Sequence, residues 1–200
     1  MRAKGAVAAS LVIGIGNPLR GDDGIGWRLA AGLAARPGLA VRCQQQLTPE
    51  LAAELAAVER LLLLDAWLEP TDHRQLGQDR LLSESQPQFQ PQFQQQYWQP
   101  VQRPLQLQEI GLPDRPGRSL QAWTGAAPWN GASHGLSPQA LLALSQILFG
   151  QAPRTHQLLL PARCFGHGQG LSPSLARRLP EARRLITGWI AAREGAWAHA

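Results

Sequence analysis

Leu11–Gly26 reads LVIGIGNPLRGDDGIG. The run Leu11, Val12, Ile13, Gly14 and Ile15 has the length and composition of a buried strand, and it closes on glycines. Gly16-Asn17 and Gly21 mark turns, and the apolar positions Ile25, Leu29, Ala30 and Leu33 recur at helical spacing. The stretch therefore reads strand, loop, helix, with Asp22 and Asp23 at the loop–helix junction. Carboxylates there gain from the unpaired N–H groups of the helix start, and they stand at the carboxyl end of a strand, where open α/β sheets bind ligands.

The chain around this stretch has 200 residues, enough for one domain with a full core. Its two cysteines, Cys43 and Cys164, support neither a disulfide framework nor a cysteine-based zinc site, and they suit a reducing compartment. The opening MRAKGAVAAS lacks the pattern of a secretory signal, and no apolar run approaches membrane-spanning length. The net charge of +5 would permit an acidic partner or a nucleic acid. The arginines are scattered, however, apart from Arg177, Arg178, Arg183 and Arg184 on an expected helix, where a solvated face explains them.

Outward from the first strand, a helix to about Ala35 is stopped by Pro37-Gly38. Leu39 to Leu47 reads as a second strand. Thr48, Pro49 and Glu50 form a helix-start pattern ahead of LAAELAAVER. Leu61–Leu64 followed by Asp65 reads as a central strand buried on both faces, with a carboxylate at its carboxyl end. From Glu69 to about Pro104 the pattern collapses into a glutamine- and proline-rich stretch with a repeated PQFQ, which reads as an insertion spanning about 84–108. Arg118 to Trp123 is a candidate short strand. Ser137-Pro138 starts an apolar helix ended by Gly150, His156 to Pro161 is the last strand, and Ser172-Pro173 starts a terminal helical segment that Pro180 kinks or splits. Alternating strands and helices predict a parallel sheet covered on both faces.

The glycines first suggest a dinucleotide site. Leu19 stands where that fingerprint wants a third glycine, the second strand ends in glutamines, and two acids would repel a pyrophosphate. Gly14-Ile15-Gly16-Asn17-Pro18 resembles the opening of peptidyl-tRNA hydrolases, but Arg20, Gly21, Asp22 and Asp23 occupy the region of that family's catalytic histidine. The acids could also be structural in a non-catalytic nickel-sensing binding module.

A broader pattern is carried by GIGNPLRGDDGIG, by Asp65 in LLLLDAW, by His134 in SHGLSPQALL and by GLSP at Gly170–Pro173. Together these resemble the hydrogenase maturation proteases, the endopeptidases that trim the large subunit of nickel-iron hydrogenases. The resemblance spans most of the chain outside the glutamine-rich insertion. It implies a single three-layer α/β/α domain with a mostly parallel, twisted five-stranded sheet and one late antiparallel strand. It further implies a metal site of Asp23, Asp65 and His134, with catalytic roles for Asp23 and Asp65. The metal would be nickel supplied by the substrate, a [NiFe]-hydrogenase large-subunit precursor. A cytoplasmic monomer with no nucleic-acid or membrane partner is expected. Two carboxylates and an imidazole suit a borderline divalent ion, and three ligands leave positions open. Asp22 reads as structural support or as a group that orients a ligand, and His167 as an accessory group.

Overall fold

A computed structural model describes residues 10–34, 37–68, 105–112 and 136–192. Its elements are β1 (Ser10–Ile15), a 3-10 turn (Gly21–Gly24), α1 (Ile25–Ala31), β2 (Leu39–Gln44), α2 (Leu51–Leu55), β3 (Arg60–Leu68), β4 (Gln106–Ile110), α3 (Pro138–Phe149), β5 (Arg154–Ala162), α4 (Pro173–Ala176) and α5 (Leu179–Ala191). The five strands form one sheet in the order β2-β1-β3-β5-β4, parallel except for the antiparallel β4–β5 pair. This is the expected mixed sheet, with its antiparallel member at Gln106–Ile110. The expected strand at Arg118 to Trp123 and most of the glutamine-rich insertion lie outside the described residues, and the expected boundary near 108 falls within β4.

Two apolar clusters cover the sheet. Val12, Leu62, Leu64, Leu158 and Leu160 pack with Ile25, Leu29, Leu175, Ile186 and Trp189, so α1, α4 and α5 form one layer. Leu11, Ile13, Leu61 and Leu63 pack with Leu51, Leu55, Leu141 and Leu142, so α2 and α3 form the other. The four consecutive leucines of β3 follow from this double burial, since alternate side chains enter opposite layers.

Several elements end differently from the sequence reading. Thr48 caps no helix: the Thr48 carbonyl accepts from Leu51 N–H, the Pro49 carbonyl from Ala52 N–H, and the Thr48 hydroxyl bonds the Glu50 carboxylate. Helix α2 is a single short segment because Arg60 is already committed to β3, opposite Ser10 and Arg154. Helix α1 stops at Ala31, where Gly32, a weak helix former, takes the C-cap. Ser137 and Ser172 do cap α3 and α4, accepting from Ala140 N–H and Leu175 N–H. The terminal segment is split at Arg177-Arg178, and Pro180 sits in the first turn of α5.

Helix α1 lies directly on the sheet. A Cβ on Gly26 would overlap the carbonyls of Leu64 and Ile15, and one on Gly14 would overlap the Gly26 carbonyl and Ala30. Backbone meets backbone here, which only glycine permits. Gly26→Ala should therefore lower the free energy of unfolding by about 2–3 kcal/mol or more in urea titrations. Gly170→Ala, which meets nothing within 4 Å, should change it by less than about 0.5 kcal/mol.

Candidate active site

Strand β1 lies between β2 and β3, so the chain leaves β1 first toward one neighbour and later returns on its other side. The crevice at the carboxyl ends of β1 and β3 is thus the topological switch point, the usual ligand site of open α/β sheets. The 3-10 turn that follows β1 carries both Asp22 and Asp23, and β3 carries Asp65.

The loop after β1 turns back on itself at Gly16, whose φ of 122° belongs to the region glycine favours, and a Cβ there would strike the Asp23 carbonyl. Asn17 N–H donates to Asp23 Oδ2 at 3.0 Å, and Asp23 N–H donates to the Arg20 carbonyl at 3.0 Å. Asn17 Oδ1 accepts from Leu19 N–H at 2.9 Å, and Arg28 clasps the Pro18 carbonyl at 2.8 Å. Asp23 is held by its own loop and remains partly exposed.

Its neighbour turns the other way. Asp22 is fully buried. Its Oδ2 accepts from Arg163 N–H at 3.0 Å, Cys164 N–H at 3.1 Å and the Ser172 hydroxyl at 2.8 Å, and its Oδ1 accepts from Ser172 N–H at 2.7 Å. Three donors crowd Oδ2 and one binds Oδ1, so both oxygens of the carboxylate are engaged. Buried and tied at both oxygens to the β5–α4 connection, Asp22 is the structural member of the pair.

Asp65 is buried at 7% exposure. The sequence reading placed it at the end of β3, but the strand continues to Leu68, paired with β5 as far as Leu68–Ala162. What ends near Asp65 is β1, whose register with β3 stops at Gly14–Leu64. The acid thus stands level with Ile15, the last residue of β1, one step past the last paired register. By the alternation of β3 it shares the face of Leu61 and Leu63, toward α2 and α3. Burial pushes its pKa up; Ala66 N–H, donating to Oδ1 at 2.8 Å, pulls it back; and the charge of Asp23 raises it further, to about 7. That electrostatic influence of one acid on the other marks the two as neighbours.

His134 lies outside the described residues, and among the described residues no three His, Cys, Asp or Glu side chains form a metal-binding group. Two residues after His134, Leu136 N–H donates to the Leu47 carbonyl at 3.2 Å, beyond the carboxyl end of β2. His156 is on the opposite face of the sheet, edge-on to Trp189 at 6.1 Å, where burial lowers its pKa. His167 is exposed in the β5–α4 connection, and the next residue, Gly168, donates its N–H to the Leu19 carbonyl at 2.9 Å, joining that connection to the β1 loop. Sequence reasoning missed the part Arg163, Cys164 and Ser172 play around Asp22; the GLSP stretch was the only signal of it. No helix among the described residues is long and apolar enough to cross a membrane.

No protein-family model matches the chain, and no curated protein matches it in sequence. Solved structures do share its fold. The [NiFe] hydrogenase maturation protease HycI from Thermococcus kodakarensis superposes with a TM-score of 0.53 at 14% identity, over 90% of each chain. The hydrogenase maturating endopeptidase HybD from E. coli superposes with a TM-score of 0.51 at 15% identity, over 90% of this chain and 91% of its own. The architecture is that of the hydrogenase maturation proteases, as the motifs led one to expect.

The raised pKa of Asp65 has a consequence for stability. Between about pH 4 and 7 the folded protein keeps a proton on Asp65 that the unfolded chain has released, so stability falls as pH rises through that window. Asp65→Asn should remove this decline and stabilise the fold at pH 8, by an amount on the order of 4 kcal/mol at most. Urea midpoints of both proteins from pH 4 to 8 measure it; parallel curves would refute the shift.

Proposed function

We propose that this chain is an endopeptidase of hydrogenase maturation, which removes the C-terminal extension of a nickel-loaded [NiFe]-hydrogenase large-subunit precursor. The observation that carries the reading is the convergence of Asp23 and Asp65 on the β1–β3 crevice of a fold shared with HycI and HybD. His134 is the proposed third ligand, supported by its place in the sequence two residues before Leu136, which bonds beside the end of β2. The donor set of two carboxylates and one imidazole fits nickel(II).

In this reading the nickel belongs to the substrate. A precursor that carries it brings a divalent charge to a pair of carboxylates that repel one another, so loading is tested by the same electrostatics that bind. With the scissile bond held at the crevice, Asp65 takes a proton from the attacking water as the C–O bond forms. It then gives that proton to the leaving amine as the C–N bond breaks. The positive charge that the substrate brings favours the ionised form of Asp65, the form that accepts the proton. The same acids repel phosphate-bearing ligands despite the net positive charge of the chain, which opposes both the dinucleotide and the peptidyl-tRNA readings. The enzyme is expected to work as a cytoplasmic monomer.

The test is the mass of a purified precursor before and after incubation. The nickel-loaded form should shorten and the nickel-free form should stay whole. Asp23→Asn, Asp65→Asn and His134→Ala should each reduce cleavage at least about 100-fold with an unchanged far-UV circular dichroism spectrum. Equal cleavage of loaded and nickel-free precursor would overturn the role given to nickel.

A further inference from the structure

We propose that Asp22 is a positioning residue, through which the β5–α4 connection fixes where Asp23 stands relative to Asp65. The proposal rests on the reading of Asp23 and Asp65 as the working pair, and it concerns what holds them in place.

Among the described residues, every side-chain bond of Asp22 goes to residues 163–172, more than 140 positions along the chain. The backbone completes the tie: Asp22 N–H donates to the Cys164 carbonyl at 2.7 Å while Cys164 N–H donates back to Oδ2. Gly21 sits so close to the same carbonyl that a Cβ, 2.6 Å from its oxygen, would not fit. By contrast, the bonds of Asp23 to Asn17 N–H and the Arg20 carbonyl are internal to the β1 loop and travel with it. Consecutive Cα atoms are about 3.8 Å apart across a rigid peptide, so any displacement of Asp22 passes to Asp23 almost undiminished. The Ser172 hydroxyl has one hydrogen, which it gives to Asp22; its lone pairs take Leu175 N–H and the Ser174 hydroxyl. The start of α4, the β5–α4 connection and the turn bearing Asp23 thus share one buried carboxylate.

The role needs a carboxylate. An amide of the same shape offers one neutral oxygen: placed at the Oδ2 position it keeps three donors more weakly and turns its NH2 on Ser172 N–H, and placed at Oδ1 it turns the NH2 on Arg163 and Cys164 N–H, so either way a buried donor loses its acceptor. Asp22→Asn should therefore be read by native-state hydrogen exchange of the full chain and by calorimetric titration with nickel(II) chloride. The amides of Arg163, Cys164 and Ser172 should exchange at least about 10-fold faster, and so should Asn17, which reports the placement of Asp23, while Val12 in β1 stays protected. Nickel affinity should fall about 10- to 100-fold, as for loss of other groups that orient a ligand. Ser172→Ala, which removes one bond of the four, should move both readouts in the same direction by less, and it decides the matter if Asp22→Asn fails to fold. Faster exchange at 163, 164 and 172 with Asn17 and nickel affinity unchanged would overturn the proposal. Faster exchange at Asn17 in a protein whose wild type binds no nickel would uphold the positioning role and overturn the metal reading.

Discussion

The backbone of α1 rests on the backbones of β1 and β3, with glycine at both points of closest approach, Gly14 and Gly26. A side chain at either would lift the helix start away from the sheet. Because the helix is seated so low, its entry has to come from a turn that fits within the few residues after Ile15 and reaches the mouth of the crevice. The 3-10 turn Gly21–Gly24 does this, and it brings both aspartates to the switch point. The packing that completes one layer of the core is thereby the same contact that delivers an acid to the site.

Asp22 and Asp23 show how little residue type decides without surroundings. They are adjacent and chemically identical, yet one is enclosed by four donors and the other keeps partial access to solvent and raises the pKa of Asp65. A carboxylate buried and bonded at both oxygens to a distant segment is a strut. One that keeps part of its surface in solvent still acts through its charge, here on the buried Asp65.

Much of the fold was legible because it rests on local chemistry: the apolar run of β1, the leucines of β3, and the Ser-Pro starts of α3 and α4. The parts that were not legible depend on distant partners. Strand β4 is polar, QLQEI, and becomes a strand by pairing with β5 at the sheet edge. The reach of β3 to Leu68 is set by β5, and nothing within LLLLDAWL announces it. Helix α2 was overextended since its helical pattern runs into Arg60, which the sheet claims. Of the candidate site, Asp23 and Asp65 were legible as a pair, but the division of labour between Asp22 and Asp23 was written in the backbone of residues 163–172. The position of His134 lies outside the described residues.

β3 and β5 are nine residues long and β1 is six, and the register leaves β3 running on past Gly14–Leu64. Continued one step, that register sets Asp65 against Ile15, the end of β1, so at about 3.3 Å per residue the three positions Ala66 to Leu68 carry β3 roughly 10 Å further on the β1 side. Asp65 stands at the foot of this overhang, within the length of β3 and not at its tip. The sheet therefore ends in a step and not in a flush rim, and the acid is set in the inner corner of that step, a position that the unequal lengths of two neighbouring strands create.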